Sequence, residues 1–219
     1  MQAETLAQYT FTTNDTTASR NASTVGSNVT PAAFANGAGV TISSSTLGSP
    51  DPRSYYVNGN LVEQALSATS TDWLGFTISA NSGYAMNLTN LSFAYGYSYN
   101  SGTAPTEVAT FDVRSSVDNY ASSLAVLTAS ATLTTVNWSN AGIVLTDAAF
   151  QNLGSISFRI ILNDASNDNS ASFLRIDTVT LTGAATAVPE PAVYGVIAGL
   201  CGLALACVRR RGRPGSAGR

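Results

Sequence analysis

Residues 73–80 read Trp73-Leu74-Gly75-Phe76-Thr77-Ile78-Ser79-Ala80. Their alternation puts Leu74, Phe76, Ile78 and Ala80 on one face of an extended chain, the period of a half-buried β-strand. Asn81-Ser82-Gly83 follows as a hairpin signal, and Tyr84, Met86 and Leu88 resume the alternation beyond it. Leu91 to Tyr99 reads as a third strand with an apolar or aromatic residue at every odd position. Further strands are expected at Val108–Val113, within Leu124–Leu133, from Ile156 to Leu162, and from Phe173 to Thr182. The last should carry a bulge near Asp177, where the apolar phase shifts. Leu6–Phe11 and Val29–Ile42 bring the expected number to eight to ten. One helical turn is foreseen at Thr146–Leu153, with Thr146 placed to cap it.

Many short strands without helices between them predict an all-β body, an antiparallel β-sandwich of jelly-roll type over residues 1–183. No repeat at a fixed period is visible, which argues against a solenoid. A chain of 219 residues is long enough for one such domain and an appendage.

Composition narrows the chemistry. There is no His, which removes the commonest general base and transition-metal ligand. Both cysteines, Cys201 and Cys207, lie in the C-terminal apolar run, so the body has no disulfide, thiolate nucleophile or Cys/His zinc site. The chain contains no Lys, and ahead of Val188 five Arg face twelve Asp and Glu, a net of −7. Such a body is no partner for nucleic acid, which demands clustered cations.

The C-terminus has three parts. Val188-Pro189-Glu190-Pro191 is held extended by its prolines. Pro191 to Val208 carries no charge, and a helix of that length covers roughly 27 Å, close to a bilayer's hydrocarbon. Arg209, Arg210 and Arg211 follow, which by the positive-inside rule keeps the C-terminus in the cytoplasm and the body outside. The expected organisation is therefore the body, a linker at 184–188, a sorting signal at 189–211 with a single transmembrane helix at 192–208, and a cytoplasmic tail at 212–219.

This order of motif, apolar helix and arginine block resembles a PEP-CTERM sorting signal. The resemblance implies processing by an exosortase in Gram-negative bacteria that secrete exopolysaccharide. Pro189, Glu190 and Pro191 would be the recognition motif, the helix a membrane span in contact with lipid, and Arg209–Arg211 the cytoplasmic stop. The implied location is single-pass in the inner membrane, then at the cell surface or secreted. Met1–Gln8 is not a signal peptide, so an in-frame start upstream should add an apolar segment. The body is also similar to β-sandwiches that precede such tails, over 73–88, 114–120, 157–160 and 174–183, which implies the fold and no activity.

Within the body, Tyr95, Tyr97 and Tyr99 share a strand face with Phe93 and would make a sugar-stacking platform if they faced solvent. Asn163 to Asn169 concentrates hard oxygen donors, with Asp164 and Asp168 as candidate calcium ligands; no other cofactor or metal is indicated. Arg114 and Asp118 are placed to pair and order a loop. Glu63 and Glu107 are the pair a glycosidase would need, but nothing fixes their separation, and the chain does not read as an enzyme. The expected function is an exported surface or envelope protein, with a structural or adhesive role in the envelope or biofilm matrix. The alternative is a carbohydrate-binding module, possible partner exopolysaccharide, stabilised by calcium.

Overall fold

The computed structural model describes residues 3–12, 20–45, 54–58, 66–99, 108–130, 132–133, 135–164 and 172–189. Fourteen strands are found there: β1 (Glu4–Tyr9), β2 (Thr24–Val25), β3 (Val29–Pro31), β4 (Ala35–Asn36), β5 (Ile42–Ser45), β6 (Ser54–Asn58) and β7 (Trp73–Ala80), then β8 (Tyr84–Tyr99), β9 (Val108–Ser115), β10 (Ser123–Ser130), β11 (Thr132–Leu133), β12 (Ser139–Val144), β13 (Ser155–Asp164) and β14 (Ser172–Ala187). They form two sheets packed as a sandwich. One runs β11-β8-β14-β1-β2, with β12 also on β8 and the β5–β6 pair on β14; the other runs β10-β9-β13-β7-β3, with β4 also on β7. β11 runs parallel to β8, whereas β14 pairs antiparallel with β1 and β6, β13 with β7 and β9, β9 with β10, β8 with β12, β7 with β3 and β4, β1 with β2, and β5 with β6.

The alternation in β7 does what it promised: Leu74, Phe76 and Ile78 are buried between the sheets. On β13, Ile156, Phe158, Ile160 and Leu162 do the same from the next strand. The core is rich in rings. Phe11 stacks on Tyr55 with centroids 4.1 Å apart, Phe34 meets Phe11 edge-on at 5.0 Å, and Tyr9 and Phe158 flank Phe76 at 5.1 and 5.6 Å. Tyr9 satisfies its hydroxyl on the Ala32 carbonyl at 2.7 Å, and burial pushes its phenol well above the usual range.

Several expectations are corrected. Asn81–Gly83 is a tight turn, with Gly83 at φ 79° and the Tyr84 amide donating to Asn81 O, but it is no hairpin. It carries the chain from the six-stranded to the eight-stranded sheet. Turn chemistry dictates a reversal; two strands that each bury one face satisfy it as well by stacking as by pairing. Val29–Ile42 is three short strands, broken around Pro31 and Gly37–Gly39. The turn near Thr146 is a single 3-10 turn, Ala148–Phe150, whose cap position is Asp147 and which has no side-chain cap. The linker foreseen at 184–188 is mostly strand, since β14 continues to Ala187; Thr186 accepts from Asn87 Nδ2 at 3.3 Å and donates to Ala85 O at 3.4 Å on β8. The apolar phase of β14 shifts where a bulge was expected: core positions run Leu174, Ile176, then Val179, Leu181, and Thr178 between them has φ 44°.

No helix among the described residues is long and apolar enough to cross a membrane. Pro191–Val208 and Arg209, Arg210 and Arg211 lie outside the described residues.

On the outer face of the eight-stranded sheet, Arg175 is 3 % exposed, donates from Nε to Ser98 Oγ at 3.0 Å, and lies over the rings of Tyr56 and Phe173 at 5.2 and 5.4 Å. Its Nη1 is buried without a partner, and burial lowers its pKa to about 10 despite the opposing influence of Tyr56. The native state therefore holds its proton less tightly than the unfolded chain, and stability gains as pH rises above about 10. At neutral pH the charge is a burden. Arg175→Met is expected to raise stability at pH 7 by about 1–3 kcal/mol, read as a higher midpoint in urea unfolding. A lower midpoint would mean that the ring contacts outweigh the buried charge.

Candidate functional site

The outward face of the six-stranded sheet carries the chemistry. Along β7 and β13 the cross-strand partners are Gly75 with Arg159, Thr77 with Ser157 and Ser79 with Ser155. The last two pairs join their hydroxyls at 2.6 and 3.0 Å. This gives a polar track along the strands, with Trp73 at its head. Across one span of four residues it extends roughly 13 Å.

At the head of the track the Arg159 guanidinium lies 4.7 Å from the Trp73 ring centroid and 3.9 Å from that of Tyr120. Its Nη1 donates to the Ala68 carbonyl at 3.3 Å. Beside this group opens a hollow of about 220 Å3. Trp73, Arg159 and Tyr120 line it together with Thr77 and Ser157, while Ala32, Ala33 and Ala35 keep the opposite side small. A second hollow of about 240 Å3 lies on the other sheet, among Ala3, Asn87, Thr89, Gly183 and Ala184. It has no ring and no charge, so the first is the candidate site.

Tyr120 reaches the site from a loop held under strain. Asn119 and Tyr120 have φ of 58° and 62°, in the left-handed region that side chains disfavour. The loop is tied down on several sides. The Tyr120 amide donates to Ser115 O at 2.9 Å, and Asp118 accepts from the amides of Ala121 and Ser122 at 3.1 and 2.9 Å. Hydrogen bonding, first from the Ser122 side chain, holds the Asp118 carboxyl below its usual range.

Beneath the loop sits Arg114. It was expected to pair with Asp118; it pairs instead with Asp112, Nε to Oδ2 at 2.8 Å, both residues being buried. Asp118 is occupied by its own loop's amides. Arg114 Nη1 donates to the carbonyls of Tyr120 and Ala121 at 2.9 and 3.1 Å, and Nη2 to Leu66 O at 3.0 Å. One buried arginine thus clasps the Tyr120 loop and the segment that leads into β7.

The sugar-stacking face proposed for Tyr95, Tyr97 and Tyr99 is the core face. These rings are 8 %, 0 % and 8 % exposed, Tyr95 packs on Phe111 at 5.2 Å, and Tyr97 donates to Ser172 Oγ at 3.2 Å. Alternation tells which residues share a face, not which face meets the other sheet. Asp168, Glu63 and Glu107 lie outside the described residues, as does the side chain of Asp164. Among the described residues no group of three or more acidic or Cys side chains is placed to hold a metal. Val188 and Pro189 follow the end of β14, with Val188 exposed, while Glu190 and Pro191 are not described.

Sequence reasoning missed Trp73, Arg159 and Tyr120 as a set. The first two were legible singly as positions out of phase with the core residues of β7 and β13. Their meeting with a loop residue depends on register.

No family model matches the chain. No curated protein matches it either. Among solved structures it is similar to the CBM22-1–GH10 modules of endo-1,4-β-D-xylanase 10B from Clostridium thermocellum, complexed with xylohexaose, at 14 % identity and TM-score 0.41 over 85 % of this chain and 30 % of that one. It is similar to the K1 cleaved adhesin domain of Lys-gingipain from Porphyromonas gingivalis W83, at 12 % identity and TM-score 0.42 over 86 % of this chain and all of that one. A third likeness is to the CBM22-1–CBM22-2 tandem domain of Paenibacillus barcinonensis Xyn10C, at 12 % identity and TM-score 0.40 over 86 % of this chain and 48 % of that one. The chain thus spans less than half the length of the first and third.

Proposed function

We propose that the β-sandwich is a carbohydrate-binding module whose ligand lies along the outer face of the six-stranded sheet. The observation that carries this reading is the group of Trp73, Tyr120 and Arg159 beside an open hollow, continued by the Thr77–Ser157 and Ser79–Ser155 hydroxyl pairs. Rings offer apolar faces to the C–H surface of a sugar, and fixed hydroxyls offer donors and acceptors to its rim. An extended strand-parallel track suits a polymer better than a single small molecule.

The test is affinity electrophoresis and calorimetry of the protein against a panel of soluble polysaccharides. Trp73→Ala and Tyr120→Ala are expected to weaken binding about thirtyfold each, the cost of losing a ring that anchors an interface, about 2 kcal/mol. Val126→Ala, an exposed position on β10, serves as control and should bind as the parent does. Full binding by both ring variants, with melting temperatures unchanged, would remove the site.

The second part of the reading concerns placement. In it residues 189–211 are a sorting signal that anchors the exported module by residues 192–208 and offers Pro189–Pro191 to an exosortase. The sequence motif supports it. The mass of the C-terminal peptide from strains with and without an exosortase tests it, and an unprocessed tail in both would refute it.

A further inference from the structure

This inference rests on glycan binding at the Trp73–Tyr120 hollow and names the class of glycan. One of the groups lining the hollow is a cation, Arg159, in a body where arginines are scarce. Arg114, the other arginine on this face, has its charge met by Asp112 at 2.8 Å. Arg159 has no carboxylate within ion-pair distance among the described residues; its hydrogen bond is to the Ala68 carbonyl at 3.3 Å.

That arrangement is wasteful for a neutral sugar. A glutamine would give the same sugar hydroxyls both a donor and an acceptor, without a charge to desolvate when the ligand covers it. The two rings also flank the guanidinium, whose Cζ lies 4.7 and 3.9 Å from their centroids, and so restrict its movement. A planar fork confined in this way presents donors that a planar carboxylate accepts in two parallel hydrogen bonds. The body's net negative charge works against any anionic polymer at long range, an effect screened beyond about 8 Å at physiological salt. Selection for an acidic ligand therefore has to come from a local cation in the site, and Arg159 is one.

We propose that the hollow selects polysaccharides built from carboxylated sugars, seating a uronate carboxylate on Arg159 beside the rings of Trp73 and Tyr120 and its hydroxyls on Thr77 and Ser157. The carboxylate supplies the counter-charge that no described residue provides, and the rings exclude water from the contact.

The test uses the full chain in detergent and three probes: polygalacturonate, the same polymer fully methyl-esterified, and a sulfated glucan. The parent is expected to bind polygalacturonate at least tenfold more tightly than its ester. Arg159→Gln should bind the two alike, at the parent's affinity for the ester, while Trp73→Ala should weaken both. A parent that binds the ester as tightly as the acid overturns the inference and leaves glycan binding standing. So does stronger binding of the sulfated glucan, which would show a response to charge without carboxylate geometry. No binding to polygalacturonate, its ester or any neutral polysaccharide overturns the glycan reading itself. The acid-to-ester ratio of the parent decides the matter even if Arg159→Gln does not fold.

Discussion

Arg114→Met is expected to cost about 3–5 kcal/mol of stability and, in whatever protein still folds, to abolish glycan binding. The loss has two sources. Asp112 is fully buried, with Oδ1 already lacking a partner, so removing Arg114 leaves its whole carboxylate uncompensated. The carbonyls of Leu66, Tyr120 and Ala121 lose their donor in the same step, each at the price of an unsatisfied polar group. Tyr120 sits in a left-handed conformation that persists only while its surroundings enforce it. Released, the loop should relax and carry the ring away from Arg159. Urea unfolding reads the first effect, and calorimetry at a temperature where the variant remains folded reads the second. A destabilised variant that binds normally would show that Tyr120 is held by Asp118 and the Ser115 carbonyl alone. The double change Asp112→Leu with Arg114→Met should recover much of the stability and none of the binding, because the buried charge is gone but the clasp is too.

Gly75→Ala is expected to destabilise by about 3 kcal/mol or more and to shift the protein into the insoluble fraction on expression. Gly75 pairs with Arg159 in the register of β7 and β13. A methyl built there would land against the Phe158 carbonyl oxygen, with the carbonyl carbon at 3.1 Å and Arg159 Cα at 3.3 Å. These are backbone atoms, and no rotamer change can move them aside. The two strands must separate, at a pairing beneath which Phe76 and Phe158 meet in the core. Differential scanning calorimetry of the soluble fraction measures the effect. A melting temperature within a degree or two of the parent would show that the strands part here at little cost.

Sequence periodicity disclosed the strands well where burial is one-sided. Phe76 and Ile78 on β7, and Phe158 on β13, each lie between polar or small neighbours, and both strands stand within a few residues of their expected limits. Ser54–Asn58 and Ser139–Val144 escaped because their core contributions are short, Tyr55 and Val57 in one and Ala141 and Ile143 in the other. The tyrosines of β8 show a different limit. Their common face was legible, but whether that face met water depended on Phe111 and the rest of the opposing sheet. The site itself needed three segments to converge. Trp73 and Arg159 are two residues out of direct register, and Tyr120 enters through a pair of positive-φ residues, neither of them glycine. Local pattern carries no trace of such long-range placement, whereas a buried Arg–Asp pair two residues apart on one strand, Asp112 and Arg114, could have been read as an outward-facing couple on β9.

The antiparallel pairing of β1 with β14, Glu4 opposite Gly183 and Tyr9 opposite Val179, has a consequence for how the molecule comes into being. A ribosome delivers β1 long before β14. Until Ala187 has emerged, the eight-stranded sheet lacks the strand that joins β8 to β1. A nascent chain arrested before residue 172 therefore has no seam along which that layer can close, and contacts spanning so much sequence form slowly even in the finished chain. Synthesis of β14 gates the closing of that sheet.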